Sequence, residues 1–303
     1  MDNLPQFSFL NTADWHDYEL LDSGDGQKFE RFGPYTFVRP ESQAMWKRRL
    51  SQKEWDGADG TFQPSNEESG GRWAFRRKIP ERWEMGYASL RFWVMPTAGR
   101  HLGVFPETAA HWTFVQEAIQ KAARPVRVLN LFGYTGLATL AAASAGAEVT
   151  HVDASKKSVT WARENQLLSK LENKPIRWIV EDALKYVQRE GRRGAKYDGI
   201  LLDPPKFGRG PKGEVWEVTK SLPHLLEGCQ SILSDDPLFV VATVYAIKAS
   251  GIHIGQVLEQ LIGKGAGTIT RGELITHERS AGRWLSQAVF ARWQPQQNNL
   301  RKL

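Results

Sequence analysis

The chain has 303 residues, of which 41% are hydrophobic and 24% are charged, so its composition excludes wholesale disorder and its length predicts two domains. One cysteine, Cys229, excludes a disulfide framework and a cysteine zinc cluster, and no apolar run reaches the roughly 18 to 20 residues of a membrane span. The net charge of +6 permits a nucleic-acid partner without requiring one.

Residues 1–100 predict a small β-rich domain. Glycine and proline recur there, and the aromatic runs at 29–38, 72–79 and 87–95 alternate roughly between apolar and polar residues, as antiparallel strands do. The stretch 56–71 is rich in Gly, Ser, Asp and Glu and predicts a loop.

From residue 103 the pattern changes to alternating strands and helices. The predicted strands are 126–131, 148–152, 176–180, 197–202 and 238–243. The predicted helices are 137–145, 156–169, 183–189, 218–233 and 255–262. Short apolar runs separated by helices indicate right-handed parallel crossovers and a doubly wound α/β sheet. Two further strands, 268–277 and 285–293, predict an antiparallel hairpin at its edge, followed by a frayed polar tail at 294–303.

A glycine turn follows the first of these parallel strands. It reads Asn130-Leu131-Phe132-Gly133-Tyr134-Thr135-Gly136 and leads into an alanine-rich helix. Glycine lets the backbone approach a ligand closely, although a plain strand-to-helix turn explains one glycine equally well. Two glycines in this order are not the pattern that binds a dinucleotide pyrophosphate. We therefore expect an adenosine ligand without a diphosphate, and S-adenosylmethionine fits.

Acidic residues end the next two strands. Asp153, followed by Ala154 and Ser155, can accept both ribose hydroxyls, unless it caps the following helix, a role that Ser155 could take instead. After the third strand, Asp182 can accept the adenine amine, and Ala183 can offer its backbone amide to a ring nitrogen. Asp182 can also be a helix cap, and both roles can coexist.

The sequence Asp203-Pro204-Pro205-Lys206-Phe207 ends the fourth strand and is the most specific signal. Two prolines stop the strand and stiffen the exposed backbone. This aims the Asp203 carboxylate and the Pro204 carbonyl into the cleft, where they can hold a nucleobase amine. Phe207 can stack on the base, and Lys206 can meet a phosphate or the base. A structural turn with an exposed lysine is the alternative.

These motifs together resemble the class I S-adenosylmethionine-dependent methyltransferases. More narrowly, they resemble the bacterial large-subunit rRNA methyltransferases that modify cytosine C5 or guanine N7. The resemblance covers residues 101–293 and includes the segment Gly103-Val104-Phe105-Pro106-Glu107. It implies a Rossmann-like domain with a mostly parallel seven-stranded sheet and an antiparallel edge hairpin, preceded by the small β-rich domain.

The motifs and the resemblance give the expected site residues. For the cofactor, S-adenosylmethionine, they are Phe105, Asn130, Phe132, Gly133, Tyr134, Thr135, Gly136, Asp153, Ala154, Ser155, Asp182, Ala183 and Asp203. For the acceptor and the transfer they are Asp203, Pro204 and Lys206. The seven histidines show no paired spacing, so no metal site is expected.

The chain departs from the cytosine-C5 enzymes in two respects: its N-terminal part shows no obvious separate RNA-binding module like theirs, and it lacks their cysteine. Those enzymes carry a nucleophilic cysteine after the fifth strand, whereas residues 240–245 here contain none, and Cys229 lies in a predicted helix as a core thiol. We therefore predict a cytoplasmic enzyme that methylates a nucleobase nitrogen in RNA, with rRNA favoured. The alternatives are methylation of a protein or a small molecule, and a non-catalytic relative that binds adenosine or RNA.

Overall fold

The computed structural model describes residues 5–12, 15–65, 70–245, 249–262 and 267–296. The strands in these ranges are β1 (Phe7–Asn11), β2 (Tyr18–Gly24), β3 (Gln27–Phe32), β4 (Tyr35–Pro40), β5 (Gly60–Pro64), β6 (Gly71–Phe75), β7 (Trp83–Tyr87), β8 (Leu90–Val94), β9 (Arg127–Leu131), β10 (Glu148–Asp153), β11 (Ile176–Val180), β12 (Gly199–Leu202), β13 (Phe207–Arg209), β14 (Val215–Glu217), β15 (Phe239–Val244), β16 (Gly267–His277) and β17 (Trp284–Pro295). The helices are α1 (Gln52–Asp56), α2 (Ala109–Ala122), α3 (Leu137–Ser144), α4 (Lys156–Leu168), α5 (Ala183–Arg192), α6 (Val218–Ser231) and α7 (Gly251–Ile262).

A large sheet runs through the second part of the chain. Its strand order is β1-β16-β17-β15-β12-β9-β10-β11, and β9, β10, β11, β12 and β15 pair in parallel. Every residue of β12 and β15 is buried, as expected for strands covered by helices on both faces. The doubly wound α/β architecture predicted from the sequence is confirmed.

The sheet differs from the expected one at its edge. It has eight strands within the described residues instead of seven, and the hairpin β16–β17 is not outermost. The edge strand is β1, which pairs in parallel with β16 from Phe7↔Arg271 to Asn11↔Ile275. The first strand of the chain therefore belongs to the large sheet, because a pairing over this sequence distance leaves no local signal. β17 runs to Pro295, so the start of the expected tail is strand, while residues 297–303 lie outside the described ranges.

The remaining N-terminal strands form the expected β-rich unit. β2 to β6 make a five-stranded sheet, and β7 and β8 make a separate hairpin. The run 29–38 is two strands, β3 and β4, joined by a tight turn. The expected loop at 56–71 contains β5, which pairs with β4 and β6, and residues 66–69 lie outside the described ranges.

One aromatic core joins the β-rich unit to the large sheet. Phe32, Phe37 and Phe92 are fully buried in the same cluster as Trp112 of α2 and Leu140 of α3. Helix α2, which was not predicted, therefore packs between the two parts of the chain. No helix in the described part of the chain has the length and apolar character needed to cross a membrane.

Candidate cofactor and acceptor site

A cavity of about 640 Å³ lies where the parallel strands β9, β10, β11, β12 and β15 end. In an open α/β sheet this is the edge at which ligands bind. Most of the expected site residues line the cavity: Phe105, Phe132, Tyr134, Asp153, Ala154, Ser155, Asp182, Ala183, Asp203, Pro204 and Lys206. The structure thus brings together residues that lie as far as 100 positions apart in the chain.

Two of the expected residues in the glycine turn, Asn130 and Gly133, pack against buried residues of the neighbouring core. The Asn130 side chain is buried and donates a hydrogen bond to Oγ1 of Thr139 at 2.9 Å, and Thr139 in turn contacts Nδ1 of His151. A Cβ on Gly133 would meet the His151 ring at 2.4 Å. Asn130 and Gly133 therefore stabilise the conformation of the turn through contacts with the core, and they do not line the cavity.

Thr135 and Gly136 also act on the shape of the turn. Thr135 Oγ1 donates to the Gly103 carbonyl at 2.6 Å, which ties the turn to the segment that carries Phe105. Gly136 directly precedes helix α3 and has a φ of 83°, and a Cβ on it would lie 2.8 Å from the Cβ of Ala162. Only glycine meets both conditions without strain.

Asp153 is held by the backbone at the end of β10. Its Oδ2 accepts from the Tyr134 N–H at 2.9 Å, and its Oδ1 accepts from the Ser155 N–H at 2.8 Å. Helix α4 is capped by Ser155, whose Oγ accepts from the Ser158 N–H at 3.2 Å. Because a carboxylate has about four acceptor positions, Asp153 keeps two that can receive a diol from the cavity. Burial raises the pKa of Asp153, and the two backbone N–H groups oppose this.

At the start of α5, Asp182 is the helix cap that the sequence allowed. Its Oδ1 accepts from the Lys185 N–H at 2.9 Å, which leaves the other oxygen available at the cavity. Ala183 is the first residue of the helix, so its N–H has no partner within the helix. Neighbouring Glu181 pairs with Arg189 at 2.6 Å. The cap and a ligand contact are thus compatible.

Trp216, a residue that the sequence did not indicate, holds the Asp203-Pro204-Pro205 turn in place. The Nε1–H of this side chain, in β14, donates to the Pro205 carbonyl at 2.7 Å. The centroid of the Trp216 ring lies 4.8 Å from the centroid of the Phe132 ring. β13 and β14 form a short hairpin directly after the turn. Two strands of three residues are too short to be predicted by alternation, but a tryptophan in a polar segment was an available signal.

Asp203 lines the cavity, and one oxygen of its carboxyl group has no hydrogen-bond partner among the described residues. Its Oδ1 is shielded from solvent and accepts no hydrogen bond from any residue that the structure describes. Burial raises the pKa of Asp203 well above its ordinary value, and the nearby carboxyl of Glu107 adds to this effect. Such a group is costly unless a ligand completes its hydrogen bonding.

Aromatic side chains frame this part of the cavity. Phe207 is 53% exposed at the mouth, with Nζ of Lys206 5.1 Å from its ring centroid. Tyr245, which the sequence analysis did not single out, follows β15 and lies 5.2 Å from the Phe105 ring. Its signal was its place directly after a parallel strand, at the edge where every other site residue lies.

Solved structures identify the protein class. A crystal structure of the SAM-dependent methyltransferase from Agrobacterium tumefaciens is 44% identical and matches 98% of this chain and 98% of its own, with a TM-score of 0.91. This chain belongs to the S-adenosylmethionine-dependent methyltransferases. The protein SMU.776, solved with SAH, is 21% identical over 91% of this methyltransferase and 75% of its own chain, with a TM-score of 0.68, a likeness in fold.

A family model and several sequence relatives each match part of the methyltransferase. A family described as Conserved hypothetical protein 95 matches residues 110–221. Ribosomal RNA large subunit methyltransferase K/L from Chromohalobacter salexigens is 31% identical over 63% of this chain and 23% of its own. The K/L protein from Hahella chejuensis is 33% identical over 51% of this chain and 21% of its own. The methyltransferase thus spans less than a quarter of the length of these relatives.

S-adenosylmethionine is the cofactor of this methyltransferase, as the sequence predicted, and it supplies a methyl group on a sulfonium. The cavity suits it: the Asp153 carboxylate has free acceptor positions, the α5 N-terminus offers a backbone N–H, and Phe105 and Tyr134 provide aromatic walls. The single cysteine of the chain does not line this cavity. Cys229 is fully buried in α6, and burial raises the pKa of its thiol to about 12.

Proposed function

We propose that this enzyme methylates an exocyclic nitrogen of a nucleobase in RNA, with rRNA the favoured substrate. The observation that carries the proposal is Asp203, which lines the cavity beside Pro204 and whose buried Oδ1 has no hydrogen-bond partner in the described part of the chain. An exocyclic amine has two N–H donors, which the Asp203 oxygen and the Pro204 carbonyl can accept together. This leaves the nitrogen lone pair free to point at the methyl group, and such alignment is the main contribution of an enzyme to a displacement reaction.

The cofactor assignments support this orientation. We assign Asp153 to the ribose hydroxyls, Asp182 and the Ala183 N–H to adenine, and the wall of Phe105 and Tyr134 to the methionine end. Asn130, Gly133, Thr135 and Gly136 build the turn that carries this wall. Since Asp203 lies at the end of β12, two strands from Asp153 at the end of β10, the acceptor and the ribose occupy different ends of one cavity.

An exocyclic amine agrees better with the site than cytosine C5 or guanine N7, the two acceptor atoms of the enzymes that the sequence motifs resemble. Cytosine C5 becomes nucleophilic only after a thiolate adds to the ring, and the Cys229 thiol is buried in α6 with its pKa raised to about 12. Guanine N7 carries no hydrogen, so it cannot satisfy the Oδ1 of Asp203. An amine needs no covalent intermediate and offers the missing donors.

Three features support RNA as the carrier of that amine. The two relatives described above are named rRNA methyltransferases, although this chain covers less than a quarter of each. The net charge of +6 favours a polyanion. Phe207 is exposed at the cavity mouth beside Lys206, where an aromatic ring can stack on an unpaired base.

The test is transfer of a labelled methyl group to separated cellular fractions. The purified enzyme, incubated with labelled S-adenosylmethionine and with RNA, protein or small-molecule extracts from cells lacking it, should label RNA alone. Nuclease digestion should then release a nucleoside methylated on its amino group. Asp203→Ala should abolish the labelling but keep its affinity for S-adenosylhomocysteine. Label in the protein or small-molecule fraction would contradict the proposal.

A further inference from the structure

The tip of the β13–β14 hairpin makes a contact that has no role in the function described above. Glu214, the residue before β14, is paired with Lys185 in the first turn of α5, with 2.5 Å between Oε1 and Nζ. The two residues are 29 positions apart in the chain, and neither of them lines the cavity. The pair therefore connects the hairpin to the helix from outside the cavity.

This ion pair joins two walls of the cavity. Residues 207–210 of the hairpin line one wall, and residues 181–183 at the start of α5 line another. The adenine position that we assign, at Asp182 and the Ala183 N–H, belongs to the second wall. The hairpin tip is thus fastened to the same helix turn that carries the assigned adenine contacts.

The hairpin is held differently at its base and at its tip. At the base, the buried Trp216 donates its hydrogen bond to the Pro205 carbonyl. Each strand has only three residues, and three of the residues 208–213 are glycine. A two-stranded hairpin is marginally stable by itself. Within the described structure, the pair with Lys185 is the one side-chain ion pair or hydrogen bond that residues 208–215 make outside the hairpin, so it sets the position of the tip.

The carboxylate of Glu214 is also held from within the hairpin. Its Oε2 accepts from the Lys212 N–H at 2.9 Å, and its side chain is 13% exposed, whereas that of Lys185 is 55% exposed. Hydrogen bonds from Lys185 and from the backbone lower the pKa of Glu214 to about 2, so the carboxylate is charged at neutral pH. Lys185 is the mobile partner, and the pair can open without unfolding either element.

Other charged groups nearby do not replace either partner. Asp182 caps α5 through its Oδ1, and Glu181 pairs with Arg189 at 2.6 Å. Arg209 lines the cavity from the hairpin, but it forms no ion pair with Glu214 in the described part of the chain. The tip is therefore fastened through one exposed ion pair, whose strength in water is modest.

We propose that Lys185 and Glu214 are positioning residues that hold the hairpin tip across the adenine end of the cofactor, and that the cofactor enters and leaves when this pair opens. The proposal rests on the adenine position assigned under the proposed function, but it does not depend on the identity of the methyl acceptor. Because neither residue lines the cavity, the pair acts through the hairpin. Breaking it should open the cavity without removing a contact to the cofactor.

The experiment is stopped-flow binding of S-adenosylhomocysteine to the full-length enzyme, followed by tryptophan fluorescence, which gives the association and dissociation rate constants separately. In Glu214→Gln and in Lys185→Met both constants should rise by about two- to fivefold, the range for an exposed ion pair, and the Kd should change little. Loss of a direct contact would instead raise dissociation alone. High salt should raise both constants in the wild type but not in Glu214→Gln, because it screens exposed charges.

Two further variants test the pair without simply deleting a charge. In Gly210→Ala the new Cβ would collide with the Glu214 carboxylate and lie 2.9 Å from the Glu214 Cβ, while the φ of Gly210 is outside the left-handed region. This variant should raise both rate constants as Glu214→Gln does. The double variant Lys185→Glu with Glu214→Lys should exchange the cofactor more slowly than either single variant, because it restores opposite charges.

A matched control is Glu164→Gln, which breaks another exposed ion pair between distant parts of the chain. Glu164 in α4 pairs with Arg82 at 2.6 Å, and neither residue lines the cavity, so both rate constants should stay unchanged. If Asp182→Ala weakens binding while Glu214→Gln leaves both constants unchanged or raises dissociation alone, this proposal is overturned by itself. An unchanged Kd in Asp182→Ala would overturn the adenine assignment and this proposal with it.

Discussion

Asp153 offers the most direct residue-scale test of the cofactor assignment. The change Asp153→Ala removes a carboxylate that we assign to both ribose hydroxyls, and hydrogen bonds to a charged group contribute about 1.5 to 3 kcal/mol. The Kd for S-adenosylhomocysteine should therefore rise by about 10- to 150-fold in calorimetry. Asp198→Asn is the control, because Asp198 accepts from the Arg127 N–H at the opposite end of the sheet. An unchanged Kd in Asp153→Ala would remove this residue from the site.

Cys229 tests the chemistry of transfer at the same scale. Because the thiol is buried in α6 and does not line the cavity, Cys229→Ser should keep its turnover. A hydroxyl buried there without a partner should lower stability by about 1 to 3 kcal/mol, a loss that Cys229→Ala should show in part. The measurement is methyl transfer to RNA, combined with a search for a covalent adduct on 5-fluorocytosine RNA. Loss of turnover in both variants, with an adduct on the wild type, would restore the cytosine-C5 mechanism.

At the scale of elements, the β13–β14 hairpin fixes the Asp203-Pro204-Pro205 turn. Trp216 is 4% exposed and joins the two by its hydrogen bond to Pro205 and its contact with Phe132. Trp216→Ala should cost about 3 to 5 kcal/mol of stability, the usual range for a buried tryptophan. Trp216→Phe keeps a ring but loses the N–H, so turnover should fall while most of the stability remains.

Thermal unfolding and transfer assays on the two Trp216 variants separate these effects. Trp284→Phe serves as the control, since Trp284 is 51% exposed in β17 and should tolerate the change in both assays. If Trp216→Phe turns over like the wild type, the hydrogen bond to Pro205 does not hold the acceptor side of the site.

The elements that the sequence predicted are those whose signal is local. Helices α3 and α4 and strand β11 differ by one residue or less at each end from the expected bounds, because their periodicity and flanking turn residues lie within the element. Helix α2 was not predicted, although it has such a signal: His111, Trp112, Val115 and Ile119 are buried at helical spacing. β13 and β14 have only three residues each, too few for a periodic signal.

The residues of the site show the same difference between those with a local sequence signal and those without one. Asp153, Asp182 and Asp203 were found because each directly follows an apolar strand. Tyr245 and Trp216 stand in no motif, so no local pattern marks them as site residues. For the glycine turn, the sequence marked the right segment, but it could not show that Asn130 and Gly133 face the His151 side of the turn.

At the scale of the whole molecule, β1 completes the large sheet. It covers the edge of β16 from Arg271 to Ile275, where five residues would otherwise present unpaired backbone groups. A chain that begins at residue 15 should therefore be less stable, and it should associate or aggregate through β16. Light scattering and thermal unfolding measure both effects. A shortened chain that stays monomeric with an unchanged melting temperature would show that β1 is dispensable.

The same pairing constrains how the protein is made. Phe7 leaves the ribosome about 260 residues before its partner Arg271. At about 5 to 20 residues per second, β1 waits on the order of ten to fifty seconds before its place in the sheet exists. During this time the β-rich unit can already form around β2 to β6, since those strands pair with one another. The exposed Phe7 and Phe9 on the waiting strand make this interval the time at which a nascent chain most needs a chaperone.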